Sequence, residues 1–335
     1  MGLSERLQKS WYSPKSDWLS LALLDVSWLY GGIVKLRRKL YASGILRSTK
    51  LPAPVIVIVV GNVIAGGAGK TPIVIELAKF LQTQGWHIGI VSRGYGRKNS
   101  DVLEVLTDTP ISDSGDEPAL IKRAVSAPVF VASERADAAL ALLAAHPQTN
   151  VIVCDDGLQH LALQRDIEIC VFDERGVGSG RLLPAGPLRE KWPREVDFIL
   201  HRGGMDGGFH VERYLADHAL RADGSQISFA QLAEQDLTAI AGIANPENFF
   251  SMLRERGLHL HDTMALPDHY DFNSASRSIY GRKWLICTEK DAVKLWETPL
   301  AQQCTIAAIP LQVKLPEEFT TALLEKLSSL QSSKK

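Results

Sequence analysis

The chain carries no excess charge of either sign. Thirty-seven Lys and Arg residues stand against 38 Asp and Glu among 335, for a formal net charge of −1. That balance removes the global basic footprint a nucleic-acid binder needs, so no nucleic acid is expected and any anionic partner must be met by a local patch. Cysteine is scarce: Cys154, Cys170, Cys287 and Cys304 lie far apart and form no C-x-x-C pair. A dithiol redox or zinc site of that kind is excluded, and reduced, buried thiols are expected. Long apolar runs are missing too. From Trp18 to Leu36 the chain reads WLSLALLDVSWLYGGIVKL, but Asp25, Ser27 and Gly31-Gly32 interrupt it. Its longest uncharged piece, Val26 to Val34, falls short of the roughly 20 apolar residues of a membrane span. A secretory signal does not fit either, because Lys35, Arg37, Arg38 and Lys39 follow the apolar part instead of preceding it. Two readings of this segment remain: an interfacial helix with Trp18, Trp28, Tyr30 and Tyr41 at the headgroup boundary, or an amphipathic helix packed on the protein's own core.

What is present is an α/β chain of ordinary composition, 45% hydrophobic and 22% charged, long enough for two cores. The stretch GNVIAGGAGKTP, Gly61 to Pro72, carries the first chemical signal. Before it, Val55 to Val60 is short, β-branched and apolar, and predicts a buried strand. After it, Pro72 suits a first helical turn, and Ile73, Leu77, Phe80 and Leu81 recur at helical spacing. In the order strand, glycine loop, helix, backbone N–H groups curl round an anion at a helix N-terminus where the macrodipole also favours negative charge. The expected ATP-binding residues are Ile64, Ala65, Gly66, Gly67, Ala68, Gly69, Lys70 and Thr71. Lys70 would reach the β- and γ-phosphates, and the Thr71 hydroxyl would ligate Mg²⁺. Ile64 stands where the general P-loop pattern has glycine.

Further strand patterns follow at His87–Ser92, in APVFVA, NVIVCDDGLQH and IEICVFD, alternating with helical ERADAALALLAAH. Such alternation implies a mostly parallel sheet covered on both faces, of the P-loop NTPase kind. Asp155 and Asp156 end one of these strands, where a P-loop enzyme keeps its Mg²⁺ ligand. Asp116, before Glu117-Pro118, reads as a helix N-cap. GVGSGRLLPAGPLREKWPRE is a long loop outside the pattern. Beyond the glycine-rich link at 203–208, LTAIAGIA, LHLHDTMAL and KWLICTE are strands of a second, smaller α/β domain, with helices from near Pro246 and Asp291. The tail SSLQSSKK looks low in complexity and frayed. The expected division is 1–45 for the N-terminal helical segment, 46–205 for the nucleotide-binding domain and 206–335 for the smaller domain. His259, His261 and His269 lack the acid or Cys that a usual zinc spacing needs.

A kinase, an ATPase or GTPase switch, and a non-catalytic nucleotide-binding module can share such a loop. The N-K-x-D guanine signature is missing, since TEKD at Thr288–Asp291 has Lys and Asp adjacent. Eight ordered blocks go further: GNVIAGGAGKTP, SRGYGRK, GDEP, DDGLQH, LLPAGPLRE, AGIANPENFF, LPDHYDF and TEKDAVK. Together they resemble the tetraacyldisaccharide 4'-kinases, the lipid A 4'-kinases of Gram-negative bacteria, which themselves carry the Gly-Gly loop. The resemblance implies transfer of the ATP γ-phosphate to the 4'-hydroxyl of a tetraacyl-disaccharide 1-phosphate lipid, with Mg²⁺, by a monomer peripheral to the cytoplasmic face of the inner membrane. It implies Asp116 as general base with His269 as its partner, in place of a pure cap. Lys70 would carry most of the catalysis. It implies Asp155, Asp156 and, with Thr71, Glu190 at the metal, and Arg93, Tyr95 and Arg135 at the lipid's sugar and phosphate. Arg189 and Glu190 would close over the nucleotide or metal. The rival expectation is a membrane-docked ATPase switch that phosphorylates no sugar.

Overall fold

A computed structural model describes residues 3–13, 17–268, 270–272 and 282–334. Three helices open the chain: α1 (Leu3–Trp11), α2 (Trp18–Ala22) and α3 (Leu24–Ala42). The first unit then alternates β1 (Ile56–Gly61), α4 (Lys70–Thr83), β2 (Ile88–Ser92), β3 (Leu103–Val105), α5 (Ile111–Ser114), α6 (Asp116–Ala124), β4 (Val129–Val131), α7 (Arg135–Ala145), β5 (Val151–Asp155), β6 (Ile167–Phe172), β7 (Phe198–His201) and β8 (Phe209–His210). These strands form one sheet in the order β3-β4-β2-β5-β1-β6-β7-β8, parallel throughout except for β3 on its edge. The all-apolar run of β1 is accounted for by its place: it sits between β5 and β6 and is buried along its whole length. Ile73, Leu77 and Leu81 of α4 and Ile121 of α6 pack on one face of the sheet. On the other, α7 is joined by Leu158, Leu163 and Leu188, so irregular chain stands where a second helix would.

The second unit contains β10 (His218–Leu220), β11 (Gln226–Ser228), α8 (Phe229–Ala233), β12 (Leu237–Ala241), α9 (Pro246–Glu255), β13 (Leu260–Ala265), β14 (Trp284–Thr288), α10 (Glu289–Leu295) and β15 (Thr305–Ile309). Its sheet runs β11-β10-β15-β14-β12-β13, with β15, β14, β12 and β13 parallel and the β10–β11 hairpin antiparallel at the edge. Between the units, β9 (Glu212–Leu215) pairs antiparallel with β16 (Leu311–Lys314).

The chain does not end in the second unit. After β16, α11 (Glu317–Lys334) returns to the first sheet and inserts Phe319, Leu323 and Leu327 beneath the strands. The expected 206–335 segment is therefore split by its own last helix. The tail is not frayed: Ser328 is helical, and Lys334 Nζ donates to Val55 O at 2.6 Å and pairs with Asp166 Oδ2 at 2.7 Å. Phe319, Leu323 and Leu327, spaced by four, form one face of this helix, and that spacing outweighs the serines on the others.

Candidate active site

Parallel strands present their C-terminal ends together, and the register fixes what meets there. Val60 of β1 is opposite Asp155 of β5, and Val91 of β2 is opposite Cys154. The phosphate loop, the Asp155-Asp156 pair and Ser92 thus share one edge, the place where α/β sheets bind ligands. The helix α4 starts at Lys70, two residues before the expected Pro72, with Gly69 as its N-cap. Pro72 falls in the first turn, where the missing N–H is harmless. Gly69 has φ 71°, a left-handed conformation that favours glycine. Arg213 Nη1 lies 3.0 Å from where a Cβ would stand there, so the β9–β16 ribbon presses on the loop as well. Ile64 is fully buried, bridges to Leu188 and belongs to the core. Its side chain anchors the loop, which explains the missing glycine and leaves only its backbone for a phosphate. Ala65 N donates to Pro187 O at 2.7 Å and Arg175 holds Gly67 O at 2.9 Å, while Gly66 and Gly67 stay exposed and Ala68 is buried. Thr71 occupies the second position of α4.

Lys70 Nζ is 3.4 Å from Asp156 Oδ1, and Arg189 Nη1 is 3.3 Å from Asp156 Oδ2. Burial raises the Asp156 pKa, but Lys70 and Arg189 hold the carboxyl below the usual range. Asp155 is buried and behaves oppositely: burial first, then Glu117 and Asp156, push it up to about 7 against Lys70 and Arg135. Its Oδ2 accepts from Ser92 Oγ at 3.2 Å, while its Oδ1 is buried without a hydrogen-bond partner among the described residues. Arg135, also buried, donates to Asp155 O and Asp156 O and leaves further buried N–H donors without partners among the described residues.

A cavity of ≈ 500 Å³ opens over this edge. Arg93, Tyr95 and Arg135 line it, as do Lys70, Asp155 and Asp156, so the structure brings the expected lipid and nucleotide residues to one space. Three side chains that sequence reasoning had not singled out line it as well: Glu117, Gln159 and His160. Burial, then Arg135, lowers the His160 pKa to about 4, so the imidazole there is neutral at pH 7. The DDGLQH block was the available signal for Gln159 and His160, whose loop follows the two acids directly.

Glu190 lines the same cavity. It is buried, with Oε2 on Arg38 and within 3.2 Å of Arg194 Nε, and Oε1 accepting from Gln159 Nε2 at 2.7 Å. Both oxygens are engaged by cationic or amide donors.

The N-terminal helix lies on the cavity with its polarity reversed from a core-packed amphipathic helix. Ser27 donates to Leu182 O, Tyr30 to Arg189 O, and Arg38 pairs with Glu190. A Cβ on Gly31 would stand 2.6 Å from Leu182 Cδ1, so a larger residue here would make the Leu182 side chain shift. Outward face Trp18 (76% exposed), Trp28 (77%), Leu29 (68%), Ile33 and Leu36. The segment packs on the protein through its polar flank and leaves its large apolar side chains exposed.

Asp116 is corrected in its local role. The N-cap is Gly115; Asp116 is the first residue of α6, nearly buried, and its Oδ1 accepts from Glu117 N at 3.0 Å. Its Oδ2 is 3.1 Å from Lys294 Nζ of α10. His269 lies outside the described residues. Among the described residues no cluster of three His, Cys, Asp or Glu has the geometry of a metal site.

Residues 19–328 match the family described as Tetraacyldisaccharide-1-P 4'-kinase. The chain belongs to this family. It is 53% identical over 335 residues to a Tetraacyldisaccharide 4'-kinase of Acidovorax sp. (strain JS42), a match covering 99% of this chain and 97% of that one. It is 55% identical over 321 residues to that of Polaromonas sp. (strain JS666 / ATCC BAA-500), covering 94% of each chain. A crystal structure of LpxK from Aquifex aeolicus in complex with ATP superposes with a TM-score of 0.78 at 30% identity, covering 93% of this chain and 99% of that one. Within the tetraacyldisaccharide 4'-kinase fold the two α/β units and the N-terminal helices thus belong together as one architecture.

Proposed function

We propose that this chain transfers the γ-phosphate of ATP to the 4'-hydroxyl of a tetraacyldisaccharide 1-phosphate. One observation carries the reading: the cavity holding Lys70 is walled on another side by Val34, Arg37 and Arg38 of the helix whose opposite flank is exposed and apolar. A phosphate donor site and a lipid-facing helix that share one space suit an acceptor that stays in a bilayer. Water as acceptor would leave the basic side of that cavity, Arg93 and Arg135, without a partner.

Lys70 and the backbone of 64–71 hold the β- and γ-phosphates, and positioning with charge neutralisation supplies most of the rate. The donor set fits Mg²⁺: the orphaned Asp155 Oδ1 is a buried carboxylate oxygen that needs a countercharge, with Asp156 next to it and Thr71 on the facing helix turn. When bound, the ion neutralises phosphate charge. Glu190 is left out of this set. Arg93, Tyr95 and Arg135 meet the disaccharide and its 1-phosphate, for which guanidinium forks are well shaped. Asp116, next to the cavity-lining Glu117, accepts the hydroxyl proton late in transfer, with His269 as partner. The enzyme works at a membrane surface through the exposed flank of α2 and α3; no described helix is long and apolar enough to cross a membrane. It acts there as a monomer, at the cytoplasmic face of the inner membrane where ATP is available. Residues 1–45, 46–205 and 206–335 serve as lipid-docking, nucleotide-binding and closing segments, with α11 working as part of the second of these.

The test is ³²P transfer from [γ-³²P]ATP with Mg²⁺ to detergent-dispersed tetraacyldisaccharide 1-phosphate. Labelled lipid is expected. ATP hydrolysis with the lipid unlabelled would overturn the reading in favour of an ATPase switch.

A further inference from the structure

The second unit reaches the first through two lysines of α10. Thr288 caps this helix, accepting from Asp291 N at 3.2 Å, and the fully buried Asp291 carboxylate accepts from Thr288 Oγ1 at 2.7 Å and Gly242 N at 3.0 Å. Ala292, Val293 and Leu295 are buried in the second unit, so the helix is fixed there. Lys290 and Lys294 are four apart and share one face of the helix. That face meets two consecutive acids at the start of α6. Lys290 Nζ lies 3.0 Å from Asp268 Oδ1 and 3.8 Å from Glu117 Oε1, and Lys294 Nζ lies 3.1 Å from Asp116 Oδ2 and 3.5 Å from Tyr270 O.

We infer that Lys294 is a positioning residue for phosphoryl transfer: its ammonium keeps the Asp116 carboxylate ionised and fixes which way it points. The inference rests on the reading of Asp116 as general base. Its geometric ground is the pair of grips on one carboxylate, Glu117 N on Oδ1 and Lys294 Nζ on Oδ2, one from each unit. A carboxylate only 4% exposed is costly as an anion unless charge and hydrogen bonds compensate it. A base must also be an anion when its substrate arrives. Among the described residues, Glu117 stands beside Asp116, and Lys290 of α10 acts on it electrostatically and also pairs with Asp268. Lys290 is shared between Glu117 and Asp268, whereas Lys294 has Asp116 as its carboxylate in the described structure.

The experiment is the pH profile of kcat/KM for the lipid, over about pH 5–9, for wild type, Lys294→Met, Lys294→Arg and Asp116→Asn, with the ATP-analogue Kd and Tm of each. With Lys294→Met the acid limb is expected to move up by about 1 pH unit, the effect of losing one opposite charge at this range. The plateau kcat should fall, the Kd should stay, and Lys294→Arg should return the limb toward wild type. An unmoved limb with activity lowered equally at every pH would overturn the inference and leave Lys294 a strap between units. Should Lys294→Met not fold, Lys294→Gln is read by the same criterion. If Asp116→Asn keeps the wild-type rate, the base reading itself fails and the inference with it; a slow Asp116→Asn beside an unmoved Lys294→Met limb rejects only the role of Lys294.

Discussion

Lys70 Nζ and Asp156 Oδ1 stand 3.4 Å apart across the mouth of the glycine loop and form an ion pair. In the proposed reaction the lysine meets phosphate and the aspartate helps hold Mg²⁺. Lys70→Ala should lower phosphoryl transfer to the lipid by about 10²–10³-fold, the usual cost of deleting one preorganised charge at a transition state. The ³²P assay reads it directly, and a loss under tenfold would mean the loop's backbone carries the charge by itself.

Asp156 has φ 47°, a left-handed conformation that Asn also tolerates. Asp156→Asn therefore removes charge while keeping the backbone. Its Mg²⁺ half-saturation for phosphate transfer should rise at least about tenfold, as for loss of a group that holds a metal site in order. Chelation with EDTA should abolish transfer in wild type and restoration should follow Mg²⁺ readdition.

Glu190→Gln separates the structural from the metal role. Removing one partner from a buried cluster with Arg38 and Arg194 should cost about 3 kcal/mol in unfolding free energy. The Mg²⁺ half-saturation should stay at the wild-type value. A shifted metal requirement with unchanged denaturant midpoint would return Glu190 to the metal.

The apolar flank of the N-terminal helix gives a prediction independent of chemistry. Trp28→Glu and Leu29→Glu should each weaken partition onto anionic phospholipid vesicles by about tenfold or more, given roughly 1.5–3 kcal/mol for one large buried side chain. Since both side chains already face solvent, urea midpoints should move little. Vesicle sedimentation and urea unfolding together decide it.

Phe319→Ala should destabilise by about 3–5 kcal/mol, as for a large core aromatic. Phe319 packs edge-on against Phe198 and Phe209 of the first sheet. A small effect would mean that α11 contributes little to that core.

The strand, loop and helix around Lys70 were legible because a parallel strand buried on both faces has to be apolar along its length, and because glycines mark the turn. Asp155 and Asp156 were legible as strand-end acids for the same reason. Asp116 as a cap was a near miss: the helix begins one residue earlier than its acid suggests, since Gly115 with φ 87° makes the turn. The partners of Glu190 could not be read, because Arg38, Gln159 and Arg194 come from three separate stretches of chain. The last helix was misjudged for a local reason. Its serines lie on its outer faces, and only the four-residue spacing of Phe319, Leu323 and Leu327 reports what is beneath. The short strands β3, β9, β10, β11, β15 and β16 escaped notice because three to five residues leave too little alternation to detect.

The return of α11 to the first sheet orders events during synthesis. Until Phe319, Leu323 and Leu327 leave the ribosome, the face of the sheet that α4 and α6 cover lacks part of its core. The α2 and α3 helices, with Trp18, Trp28 and Leu29 on their outer flank, emerge far earlier. A nascent chain therefore shows its apolar outer flank well before the core beneath the phosphate loop is complete.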